Sequence, residues 1–115
     1  MPELFRNAAA GLLRLYGLRS SKLGRHRIKV RLEATDAGDL LVQWLNEVVY
    51  LVETRRVVPG RFEFRRLEEA GLEAVLLAAP VGAAALGREI KSATRHDLEV
   101  KKVGSGWRAR VLLDV

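Results

Sequence analysis

The stretch Asp36 to Arg56, DAGDLLVQWLNEVVYLVETRR, constrains the fold more than any other part of the chain. Leu41, Trp44, Leu45, Val48, Leu51 and Val52 recur at spacings of three and four, the repeat of one helix face, while Gln43, Asn46, Glu47 and Glu53 fall on the other side. Asp36 suits the N-cap, Asp39 puts an anion in the first turn, and Arg55 and Arg56 put cations in the last turn, each where the helix dipole favours it. A helix of about 20 residues is about 30 Å long. It crosses a small domain and walls its core, with Trp44 as the largest apolar group on that wall.

At 115 residues the chain is expected to form a single domain, residues 1–115, with one core and no need of metal or disulfide staples. It has no cysteine, which excludes disulfides, thiol chemistry and cysteine-based zinc sites. The longest uncharged apolar run, Ala74 to Gly87, is broken by Pro80 and Gly82 and falls short of the roughly 20 residues that span a bilayer. The opening MPELFRN carries charges where an export signal needs an apolar segment. A soluble cytoplasmic protein is expected, without a membrane partner. Lysine and arginine outnumber aspartate and glutamate 20 to 14, for a net charge of +6. The excess gathers between Arg14 and Arg31, where Arg14, Arg19, Lys22, Arg25, Arg27, Lys29 and Arg31 occur with no acid. Such a run is either a solvated surface or a contact for a polyanion such as RNA.

Pro2 to Tyr16 predicts a first helix, with Leu4, Phe5, Ala8, Ala9, Leu12, Leu13 and Tyr16 on one face and Gly17 as its stop. A polar connector with Ser20, Ser21 and Gly24 leads to a strand at Arg27 to Glu33, where Ile28, Val30 and Leu32 alternate with charged residues. After the central helix, Pro59 and Gly60 read as a turn, and Arg61 to Arg66 alternates with Phe62 and Phe64 inward. Glu69, Ala70 and Gly71 form the next turn, and Leu72 to Ala79 reads as a central strand. Pro80 to Gly87 is a loop or a single helical turn. Ile90 to Val103 reads as extended, Gly104 to Gly106 as a hairpin turn, and Trp107 to Asp114 as a last strand with Trp107, Ala109, Val111 and Leu113 on one face.

This order predicts an α+β fold: a two-layer sandwich of a largely antiparallel sheet with two helices on one face. The other sheet face is then rich in arginine. Arg27, Lys29, Arg31, Arg61, Arg65, Arg108 and Arg110 all take outward positions, with Glu63 and Glu99 among them. The candidate polyanion contact is Arg27, Lys29, Arg31, Arg108 and Arg110.

Catalytic machinery is poorly represented. The two histidines, His26 and His96, lie in no nucleophile-and-base motif. Ser92, Thr94, His96 and Asp97 occupy one strand and lack the directed contacts of a triad. Gly104-Ser105-Gly106 lacks the lysine and helix of a phosphate loop. Asp114 beside a terminal Val115 carboxylate offers two hard oxygen donors, fewer than a calcium or magnesium ion requires.

Four stretches together resemble the archease family: PELFRNAAA at Pro2 to Ala10, DLLVQWLNEVVY at Asp39 to Tyr50, EIKSATRHDL at Glu89 to Leu98 and VLLDV at Val111 to Val115. They keep the family's order and spacing and cover nearly the whole chain. The resemblance implies an α+β fold of two strand-helix-strand-strand modules and an accessory role in place of catalysis. Archeases promote guanylylation and turnover of RtcB-type RNA ligases, which join tRNA halves or other broken RNA using GTP and a divalent metal, and they are also described as chaperone-like modulators. By position, Asp114 and Val115 become ligands of a divalent metal (calcium, magnesium or manganese), Lys91 and His96 lie on the functional strand, and Trp44 is structural.

The chain departs from the family at two places. Archeases carry a strand before the first helix, with a histidine-threonine-alanine-aspartate run whose aspartate completes the metal site, whereas here Met1 abuts the helix. Either the natural start lies upstream or the sheet keeps an unpaired edge that a partner chain fills, a route to an oligomer. Gly82 to Gly87 also lacks the family's histidine ahead of the lysine strand. Two readings stand: an activator of an RtcB-type RNA ligase working through its C-terminal carboxylates, and a basic RNA-binding or chaperone-like module working through an arginine-rich sheet face.

Overall fold

The computed structural model describes residues 1–19, 24–82 and 86–115. Its elements are α1 (Pro2–Leu15), β1 (His26–Glu33), α2 (Ala37–Glu53), β2 (Val57–Glu68), β3 (Gly71–Pro80), β4 (Ser92–Val103) and β5 (Gly106–Asp114). This is the expected α+β order with antiparallel pairing. The strands divide between two sheets, a three-stranded β1-β3-β2 and a two-stranded β4-β5, in place of the one sheet expected. The reason lies in α2. Val42 and Val49 are buried together with Leu41, Trp44, Leu45, Val48, Leu51 and Val52, so the helix is apolar over more of its circumference than a single sheet covers.

Asp36 caps α2 by accepting the Asp39 backbone N–H at 2.8 Å, and the Asp39 carboxylate reaches back to the Thr35 N–H at 3.0 Å. The helix ends at Glu53 with Thr54 as C-cap, so Arg55 and Arg56 lie beyond its last turn and not within it. The chain reverses there, with Arg56 at φ 56°. Reversal at this point corrects the expected turn at Pro59 and Gly60, which lie inside β2 opposite Ala78 and Leu77. β2 is an edge strand, where a proline's missing N–H costs no ladder bond. Ser20, Ser21 and Lys22 of the expected connector, and residues 83–85 of the expected loop, lie outside the described residues.

Trp44 joins the layers. Its Nε1 donates to the Phe5 carbonyl of α1 at 2.9 Å, and its ring meets Phe62 edge-on at 5.6 Å and Phe64 at 5.3 Å from β2. Among the described residues no helix is long and apolar enough to cross a membrane. Trp44→Ala is expected to lower unfolding free energy by about 3–5 kcal/mol and Asp36→Ala by about 0.5–2 kcal/mol. Urea denaturation with unchanged m-values tests both the sizes and their order.

Candidate functional site

The side of α2 that faces away from the three-stranded sheet is polar in sequence, yet it carries the second sheet. Asn46 lies against β4, where its Nδ2 donates to the Ala93 carbonyl at 3.0 Å and its Oδ1 accepts the Ala93 N–H at 2.7 Å. A primary amide offers the same donor and acceptor as a peptide unit, so Asn46 pairs with β4 as a neighbouring strand would. About two turns later, Glu53 Oε2 accepts the Ile90 N–H and the Tyr16 hydroxyl, each at 2.9 Å. Burial, followed by this bond, pushes the Tyr16 phenol well above its usual range. The Gly87 N–H donates to the Tyr16 carbonyl at 3.0 Å. Residues 87–93 are therefore fastened at three points to α1 and α2.

This fastening places the end of the chain. Ser92 pairs with Asp114 across the β4–β5 ladder, and the Lys91 N–H donates to the Asp114 carbonyl at 2.8 Å. Ala93 opposite Leu113 faces the core, so Ser92 and Asp114 share the outward face. Asp114 is exposed, and Val115 is 61% exposed. An open cleft of about 570 Å³ runs beside them, lined by Asn46, Tyr50, Glu53, Glu89, Lys91 and Ser92.

The backbones of Lys91 and Asp114 are thus brought together, and His96 is not. The β4–β5 register slips between Thr94 and Glu99, and His96 sits in that irregular segment, exposed, with Nε2 3.5 Å from Asp97. Four residues of strand separate it from Ser92, a span of about 13 Å. The segment is held by Arg95, which donates to the Asp39 carboxylate, and by Leu98, which packs against Gly38 of α2 where a Cβ would lie 2.9 Å from Leu98 Cδ2. The Arg95 guanidinium, followed by the Thr35 N–H, holds Asp39 at about 2, below its usual 3.8. The Thr94 hydroxyl donates to the Leu112 carbonyl, so the Ser92, Thr94, His96, Asp97 group forms no relay.

The five candidate polyanion residues are divided. Arg27, Lys29 and Arg31 extend outward from β1, while Arg108 and Arg110 belong to the separate β5. Arg110 lies 3.6 Å from Glu99, whose carboxyl is lowered chiefly by its bond with Lys101.

A divalent metal finds the exposed Asp114 carboxylate here, with Val115 beside it. Calcium takes six to eight oxygens and magnesium six, and among the described residues no cluster of three or more His, Asp or Glu side chains converges. The donors present do not build a cation site by themselves.

Sequence periodicity missed Asn46 and Glu53 as anchors, since each reads as a solvated residue on a polar helix side. The available signal was Val42 and Val49, apolar residues flanking that side and announcing a second packing partner.

The family model of the Archease protein family matches residues 1–115. Protein archease of Methanosarcina mazei is 31% identical over 98% of this chain and 82% of its own length. That of Methanosarcina acetivorans is 30% identical over 100% and 83%, and that of Archaeoglobus fulgidus 31% identical over 98% and 84%.

Asn46→Leu leaves the Ala93 peptide unpaired and is expected to cost about 1–3 kcal/mol, with amide exchange accelerated at Ala93 and Lys91. Because the folded pKa of Asp39 is depressed, its stabilising contribution is present above about pH 3.8 and is lost as pH falls through about 2. The gap in urea midpoint between the parent protein and Arg95→Ala is therefore expected to close over that acid window.

Proposed function

The chain belongs to the archease family, and from that premise we propose that it is an accessory factor promoting guanylylation and turnover of an RtcB-type RNA ligase in the cytoplasm, with no reaction of its own. The observation that carries this reading is the rigid presentation of an acidic tip. Asp114 and Val115 stand exposed at the end of β5, while the strand opposite is fastened by Asn46 and Glu53. A group that acts in another protein's site gains from being held in one geometry before contact, because less ordering entropy is lost on binding.

In this reading Asp114 and Val115 lend negative charge and hard oxygens to the ligase's own metal and nucleotide site, which supplies the remaining ligands. Lys91, whose backbone N–H bonds the Asp114 carbonyl, offers an exposed cation to a phosphate. The open cleft beside Lys91 and Ser92 is the surface against which the ligase docks, with half-exposed Tyr50 on its wall. His96, exposed on the irregular segment of β4, makes a separate contact.

The test is guanylylation of a matching ligase with GTP and divalent metal, with and without this protein. Stimulation is expected from the parent protein, with a drop of at least about tenfold for Asp114→Ala, the size of a lost charge-assisted contact of roughly 1.5–3 kcal/mol. Arg108→Ala is expected to stimulate as the parent does. No stimulation by the folded parent protein overturns the reading.

A further inference from the structure

Charge on the outward face of the three-stranded sheet is not evenly spread. At one end, Arg31 lies 3.7 Å from both Glu33 and Glu73, Arg66 lies within 4 Å of Glu33, Glu68 and Glu73, and Arg65 lies 3.4 Å from Glu63. These cations are largely neutralised by the acids around them. At the other end, Arg25, Arg27 and Lys29 follow one another at alternate positions on or next to β1, and Arg61, at φ 47°, stands in the irregular stretch of β2 between Gly60 and Glu63. All four are exposed, and among the described residues none has an acid within salt-bridge distance. Between the two rows, β3 presents Leu77 and the buried Val75, and Glu63 of β2, held by Arg65, lies across Val75 from Lys29. The rows therefore flank an apolar floor on which long cationic side chains can lie with their heads in water.

We propose that this end of the face, built by Arg25, Arg27, Lys29 and Arg61, holds the phosphate backbone of an RNA duplex. Alternate residues of a strand are about 6.7 Å apart, so the β1 row is spaced on the scale of neighbouring phosphates, with Arg61 of β2 on the far side of β3. The sheet's aromatic residues Phe62 and Phe64 point into the core against Trp44. The face therefore has no platform for stacking unpaired bases, the usual means of gripping single strands. Helical RNA is recognised mainly through its shape and backbone, which suits a flat array of cations. The choice of RNA rests on the ligase reading above, whereas the polyanion contact itself rests on the charge pattern. Arg55 Nη2 donates to His26 Nε2 at 3.2 Å, tying β1 to the turn after α2. Glu53, two residues earlier, ties Ile90 beside the acidic tip.

The experiment is fluorescence anisotropy with a labelled RNA hairpin stem of roughly 16 base pairs, titrated across a range of salt. The parent protein is expected to bind with a log–log salt slope of about −3 to −4, near −0.9 for each of four phosphate contacts. Arg27→Ala/Lys29→Ala/Arg61→Ala is expected to bind more than about tenfold more weakly, with the slope reduced by about 3. Arg31→Ala/Arg65→Ala is expected to bind as the parent does. If the triple variant does not fold by circular dichroism, Lys29→Ala alone replaces it, with a slope change of about 1. Failure of the parent to bind the stem, unaltered binding by the triple variant, or displacement by unstructured RNA or polyglutamate as effective as by the stem overturns the proposal. Guanylylation stimulation, measured without RNA, reads the activator role separately. The folded triple variant is expected to retain it, and its loss assigns the face to the ligase and overturns the RNA contact.

Discussion

The reciprocal pair of hydrogen bonds between the Asn46 amide and the Ala93 peptide is the interaction on which the rest of the molecule depends. A helix buried on two sides has to place some polar residues against a neighbour. An unpaired amide or peptide there loses its water contacts without replacement, at a cost of a few kcal/mol. Asn46 resolves this by presenting the hydrogen-bonding pattern of a strand from the side of a helix, and Glu53 does the same for the Ile90 N–H with a carboxylate. No buried side-chain nitrogen or oxygen among the described residues lacks a partner. The second sheet is thus attached by polar bonds of fixed direction as well as by apolar contact. The three-stranded sheet is covered by α1 and α2 chiefly through the aromatic cluster of Phe5, Trp44, Phe62 and Phe64, with Gln43 donating to the Glu33 carbonyl of β1 at 2.9 Å.

Most of the secondary structure was legible because its signals are local. The period of α2, its Asp36 cap, the alternation in β1 and the inward row Trp107, Ala109, Val111, Leu113 of β5 all stand where periodicity put them. What was not legible depends on pairing between distant residues. Pro59 reads as a turn residue by propensity, yet it sits in β2 because that strand is an edge and β3 extends to Pro80 to meet it. The division into two sheets follows from the width of the apolar surface of α2. Val42 and Val49 recorded that width, but a one-face template set them aside.

The candidate site shows the same boundary. The family likeness directs attention to Asp114, and pairing of Ser92 with Asp114 puts Lys91 beside it. Nothing in the spacing of Lys91 and His96 announced the register slip after Thr94 that carries His96 away, since a slip is a property of two strands and the spacing belongs to one. The cationic face behaves likewise. Alternation marks Arg27, Lys29 and Arg31 as outward and equivalent. Only the register with β3, which sets Glu73 opposite Arg31 and Leu77 opposite Arg27, makes one a bridged ion and the other an unopposed charge.

Two surfaces of opposite sign are consequently referred to the same short piece of chain. Glu53 at the end of α2 fixes the strand beside Asp114, and Arg55, two residues on, fixes the first residue of β1, from which the cationic row departs. In the proposed reading these surfaces act at different ranges. A net charge of +6, to which the row Arg25, Arg27 and Lys29 contributes, attracts a polyanion from beyond contact, whereas an exposed carboxylate is screened within a Debye length of about 8 Å and acts only after docking. In that reading the acidic tip and the basic face are needed at a constant offset, so that ligase and RNA are met together. A helix end that bonds to both sheets within three residues meets that requirement with less freedom than a flexible loop would allow.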